Sequence, residues 1–178
     1  MSTGPPPATP YEKFWEPSFD TFYESYYQEL ASEALATRWQ ITDTITSLIV
    51  AFTATGSAVA GWAMWNTPNG KMIWAVIAGA ASVASIVHSV LAVPGRIKDQ
   101  EELRRLFQDL RLAIDNFRKN LEIELIPMVE AKHEYERLQA SYQEVMKRTK
   151  ADMIYTESMR EGVTERLKAI MKAEGYTL

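Results

Sequence analysis

Between Thr44 and Gly95 the chain carries only one Asp, Glu, Lys or Arg, and that residue is Lys71. It divides the segment into an uncharged run of 27 residues, Thr44 to Gly70, and another of 24, Met72 to Gly95. A helix needs about 20 predominantly apolar residues to cross a bilayer, so each run is long enough. Both are rich in Ala, Ser, Thr and Gly, and their moderate hydrophobicity also suits a buried pair of helices in a soluble bundle. The tryptophans favour the membrane. Trp62, Trp65 and Trp74 flank the turn sequence "NTPNG" (Asn66 to Gly70), where amphipathic rings would lie at headgroup level.

The expectation is therefore a two-span transmembrane hairpin over residues 44–95, with its turn at 66–71. Lys71 is the only basic residue at the tip, whereas Arg38 precedes the first run and Arg96, Lys98, Arg104 and Arg105 follow the second. By the positive-inside rule both termini are cytoplasmic, giving a multi-pass membrane protein with the lipid bilayer as its first partner. The first residues lack a basic stretch followed by an apolar one, so no cleaved signal peptide is expected.

Outside the hairpin the periodicity is helical, and the expected fold class is all-α. Residues 1–17 open with "MSTGPPPATP" and read as a flexible Pro-rich tail. Residues 18–43 read as an amphipathic cytoplasmic helix capped by Ser18. Phe19, Phe22, Tyr23, Tyr26, Tyr27 and Leu30 form its apolar stripe, and its acidic polar face favours packing on the protein's own helices over anionic lipid. Residues 96–178 read as long cytoplasmic helices forming a bundle or coiled coil. Pro94 and Gly95 should stop the second span, and Asp99 with Glu102 should cap a helix starting near Lys98. Its stripe of Leu103, Leu106, Leu110, Phe117 and Leu121 is close to a heptad seam and is the candidate contact between copies. Pro127 should kink or end that helix, and one further helix should carry Tyr135, Leu138, Tyr142, Val145 and Met153 on to Ile170.

Charge and composition exclude several functions. Residues 1–43 hold two Lys/Arg against seven Asp/Glu, and residues 96–178 hold sixteen of each, so no nucleic-acid partner is expected. With no Cys, thiolate metal sites, thiol nucleophiles and disulfides are impossible. The chain has no Gly-rich phosphate loop, no G-x-S-x-G and no H-E-x-x-H, so no enzyme and no cofactor are expected. Glu130 and His133 make a single Glu-x-x-His, where a di-iron bundle needs two with two further Glu, and no metal is assigned.

The polarity inside the runs carries more information. Thr42, Thr46, Thr53 and Ser57 share one face of the first helix, and Ser82, Ser85 and Ser89 share one face of the second. Such faces serve for close helix packing or, repeated around a rotation axis, for lining a polar pore, which would require a homo-oligomer. His88 is the ionisable group within the second span and the candidate for gating, with Ser47 as a facing hydroxyl.

This order, a helix ending in "TRWQITDTI", two spans joined by a Trp-flanked turn, then "GRIKDQEELRRLFQDLRLAIDNFRKNLE" and long helices, resembles the SLATT superfamily over about residues 18 to 175. That resemblance implies a membrane effector of prokaryotic conflict or antiphage signalling. It implies a pore formed, or a membrane perturbed, once a nucleotide-signal synthase or sensor protein responds. Two other readings remain open: a membrane-anchored helical scaffold recruiting a cytoplasmic partner, and a soluble bundle that inserts its hairpin on activation.

Overall fold

The computed structural model describes residues 12–64, 67, 69–123, 125–149, 152 and 154–176, and among these the side chains of all but 12, 52–64, 84 and 87. Every regular element among them is helical: α1 (Glu12–Met64), α2 (Gly70–Leu91), α3 (Val93–Glu122), α4 (Met128–Arg148) and α5 (Glu157–Ala173). The chain divides into two compact units, one of residues 1–34 and 100–178, the other of residues 35–99.

The first unit is a helical bundle built on the aromatic stripe of α1. Phe22, Leu30 and Ala31 of α1 meet Leu110, Ile114, Phe117 and Leu121 of α3, Ala131 and Leu138 of α4, and Val163, Leu167 and Met171 of α5. Within α3 the spacings of four, three and four put these side chains on one face, which is why a chain of ordinary helical sequence buries them together. Phe19, Tyr23, Tyr26 and Tyr27 pack around the same core, so the α1 stripe is spent on the protein's own helices.

Polar contacts fix the register. Arg111 Nε donates to Glu29 Oε2 at 2.7 Å, and its guanidinium lies 4.3 Å from the centre of the Tyr26 ring. Tyr27 and Tyr155 share a hydroxyl hydrogen bond of 2.7 Å, and Gln139 Nε2 donates to Thr21 Oγ1 at 2.6 Å. Arg118 is only 3% exposed, and its guanidinium sits among the rings of Trp15, Phe19, Phe22 and Tyr176 at 4.4 to 5.6 Å. The negative faces of four rings there do part of the work that a carboxylate does for most buried arginines.

Several boundaries differ from the sequence expectation. Helix α1 runs through Pro17, and Ser18 does not cap it: the buried Ser18 hydroxyl donates back to the Trp15 carbonyl at 2.9 Å. The α2–α3 junction falls at Ala92, whose φ of 48° breaks the helix, while Pro94 and Gly95 lie inside the first turn of α3. Proline is tolerated there because the first amides of a helix have no intrahelical acceptor, and Asp99 is consequently an interior residue and not a cap. The single helix expected after Pro127 is two. Helix α4 ends at Arg148, Asp152 organises a turn by accepting from the Ile154 amide at 3.2 Å, and Thr156 caps α5 by accepting from the Met159 amide at 3.4 Å.

The second unit contains α1 from residue 35 onward, α2, and the first residues of α3. Its surface is apolar. Ile41, Ile45, Leu48, Met72, Val76, Val83, Ile86 and Val90 are all more than half exposed, the pattern opposite to that of the bundle. By length and composition one helical stretch among the described residues, Gly70–Glu122, is apolar enough to cross a membrane, and only 12% of its most apolar window is buried. Helix α2, with 22 residues, spans about 33 Å at 1.5 Å per residue, close to the thickness of a hydrocarbon core.

Candidate functional site: a polar cleft in an apolar helix pair

Helices α1 and α2 run antiparallel in the second unit, and a cleft between them is lined by four polar side chains. Thr46, Ser47, Val50 and Ala51 line it from α1, and Ser85 and His88 from α2, around a volume of ≈ 330 Å³. At one end Asp43 Oδ1 lies 3.5 Å from His88 Nε2. The pairing follows from equal helical rise: in an antiparallel pair, neighbours keep a constant sum of residue numbers, and Asp43 with His88 and Ser47 with Ser85 have nearly the same one.

The other imidazole nitrogen stands differently. His88 Nδ1 is buried and has no hydrogen-bond partner.

Four hydroxyls of the unit, that of Thr46 in the cleft among them, are satisfied locally. Thr42 Oγ1 donates to the Arg38 carbonyl at 3.0 Å, Thr44 to Gln40 at 2.8 Å, Thr46 to Thr42 at 2.8 Å and Ser82 to Ala78 at 2.8 Å. This back-bonding to the preceding turn lets a hydroxyl sit in apolar surroundings without an idle donor.

The candidate hydroxyls therefore separate. Thr46 and Ser85 line the cleft with His88, and Ser47 faces it as the sequence suggested. Thr42 is half-buried one turn earlier, while Ser82 and Ser89 are exposed and do not line the cleft. The side chains of Thr53, Ser57 and Trp62, and the whole of Trp65, lie outside the described residues. Trp74 is half-buried near the start of α2. Asp43 was missed in the sequence because it appears there merely as the last charge before the uncharged run. The signal was its spacing of three and four from Thr46 and Ser47, which puts it on their face.

The seam of α3 has a different role from the one expected of it. Leu103, Leu110, Phe117 and Leu121 are buried and Leu106 is half-buried within a single chain, and Leu110, Phe117 and Leu121 belong to the bundle core. The apolar area of these last three is covered within the bundle by α1, α4 and α5, so at these positions the contact is an internal one. Glu130 and His133 line a groove of ≈ 650 Å³ together with Asn116, Asn120 and Arg137. His133 Nδ1 there lies 3.9 Å from Glu136, and no group of three His, Asp or Glu among the described residues is placed to hold a metal ion. No family model matches the chain, and neither do any curated protein or solved structure.

Proposed function

We propose that the chain is a homo-oligomeric, two-span membrane effector whose α1–α2 pairs form or gate a pore under the control of the helical bundle. The observation that carries this reading is the apolar exterior of the second unit: large aliphatic side chains are exposed along both helices, while Asp43, Thr46 and His88 are half-buried at the helix contact, beside a cleft that Ser47 and Ser85 also line. A soluble helix pair has the reverse arrangement, while a hydrocarbon surround favours this one. One pair cannot enclose a channel, so the lining requires several copies. With the α3 seam occupied inside the bundle, those copies meet through the helix pair, which argues against a scaffold assembled on that seam.

The resemblance to the SLATT superfamily supports placing both termini in the cytoplasm and assigning the trigger to a nucleotide-signal synthase or sensor protein in a prokaryotic conflict system. The test is ion flux from liposomes reconstituted with the full chain, compared with Ser47→Leu/Ser85→Leu. We expect flux from the unaltered chain and at least a tenfold loss in the variant, with equal resistance of both to carbonate extraction. Equal flux would remove the proposed lining, and recovery of the chain in the carbonate supernatant would remove the membrane placement.

A further inference from the structure

The groove of ≈ 650 Å³ between α3 and α4 belongs wholly to the bundle. Its apolar lining, Ala113, Phe117 and Ile126, is buried or half-buried, while Asn116 and Asn120 line it from α3 and Glu130 from α4. We propose that this groove is a docking site for an extended segment of a partner protein, one that combines basic and aliphatic side chains. The proposal stands on the bundle alone and does not rest on the pore reading.

The two carboxamides define the conformation of the occupant. Among the described residues neither Asn116 nor Asn120 makes a side-chain hydrogen bond. They are four residues apart on α3, so at 1.5 Å per residue they recur after about 6 Å on one helical face. An extended chain points the N–H and C=O of every second residue to the same side, a repeat of about 6.6–6.8 Å. Each carboxamide holds donors and an acceptor together and can therefore bond both backbone groups of one residue. The pair thus matches two alternate residues of an extended segment. A helical ligand has its backbone groups bonded internally and offers such a pair nothing.

Charge selects the side chains. Arg137 in the groove is held by Glu134, and His133 Nδ1 lies 3.9 Å from Glu136. Glu130 has no ion pair among the described residues, and neither has the exposed Glu122, two residues beyond Asn120. The uncompensated charge beside the groove is therefore negative. The connection between the helices supplies an apolar surface: Ile123, Leu125 and Val129 are 67 to 69% exposed, and the groove residue Ile126 lies among them in the chain. Aliphatic side chains clustered in this way mark a contact surface. The acidic side chains beside them disfavour an anionic lipid surface and favour a segment that brings Lys or Arg.

The full chain in lipid nanodiscs is panned with a displayed library of random nine-residue peptides. We expect the selected peptides to be enriched in Lys or Arg together with Ile, Leu or Val, and to lose at least tenfold in affinity for Asn116→Ala/Asn120→Ala and for Glu130→Gln. Main-chain recognition is read without any variant of the protein, by methylating two successive central backbone nitrogens of a selected peptide in turn. One methyl should cost at least tenfold and the other little, because only alternate amides of an extended segment face α3. The chain lacks cysteine, so Val129→Cys takes a single fluorophore. Its emission should shift to the blue when a selected peptide is added, and spin-labelled lipid should not quench it. A library that yields no peptide, peptides that bind the asparagine variant equally, or equal effects of the two methyl groups would overturn the proposal. Quenching by lipid would overturn it too, by assigning the aliphatic surface to the bilayer.

Discussion

Stranding one member of the Glu29–Arg111 pair gives the most quantitative test of the bundle. The two side chains are 12% and 18% exposed, and Arg111 also lies over Tyr26 at 4.3 Å. In Arg111→Met the Glu29 carboxylate remains nearly out of reach of water. A fully buried pair broken this way costs about 3–5 kcal/mol and a surface pair about 0–1, so this one should cost about 2–3 kcal/mol. Losing the guanidinium–ring contact adds about 0.5–1 kcal/mol. Glu29→Leu should cost less, about 1–2 kcal/mol, because Arg111 keeps Tyr26 and can extend toward solvent. In the double variant neither charge is stranded, and stability should return to within about 1.5 kcal/mol of the unaltered chain, a coupling of about 2 kcal/mol or more. Native-state amide exchange of α3 and α5 peptides in the detergent-solubilised chain reads these values for the bundle without requiring the whole protein to unfold in one step. A coupling below about 0.5 kcal/mol would refute the argument that burial, and not charge pairing alone, sets the cost.

Three further outcomes are expected. Leu110→Ala, in the bundle core, should lower the exchange stability of α3 by about 2–4 kcal/mol and leave the oligomer mass unchanged; a lower mass with stability intact would return this seam to a contact between copies. Ala92→Gly should stabilise the α2–α3 junction by about 1 kcal/mol, because glycine adopts a φ of 48° without a Cβ penalty, and a loss on thermal unfolding would contradict it. Burial, with a contribution from Glu24, pushes the Tyr142 hydroxyl up to about 12; burial and then the hydrogen bond to Tyr27 push Tyr155 up as well. Since the folded state holds these protons more tightly than the unfolded one, their contribution is complete below about pH 10 and is lost as pH rises through 12. Tyr142→Phe/Tyr155→Phe should therefore flatten the alkaline loss of bundle stability, and an unchanged slope would show that these hydroxyls do not govern it.

What the sequence made legible was whatever depends on periodicity. The aromatic stripe of α1 and the leucine stripe of α3 are strong three- and four-residue patterns, and both became the bundle's core. Periodicity does not say which surface will cover a stripe, and the α3 seam read equally well as a contact between copies. Breaks were less legible because they depend on single residues in context. Thr149, Met153 and Thr156 continue the apolar spacing well enough to hide the turn at Asp152, and an alanine gives no warning that it will take a left-handed conformation. In the cleft, His88 with Ser47 could be anticipated from burial and facing position. The spacing of Asp43 puts it on the same face, but its partner is 45 residues away, and the register of the helix pair decides which residue it meets.

The hydroxyl of Thr46 gives its hydrogen to the Thr42 carbonyl, and Asp43 as a carboxylate has none to give. Lone pairs are therefore what the Thr46 hydroxyl offers to the cleft, which it lines beside the Ser47 and Ser85 hydroxyls. The same bond that lets the helix carry a threonine through apolar surroundings thus decides which side of its hydroxyl the cleft meets.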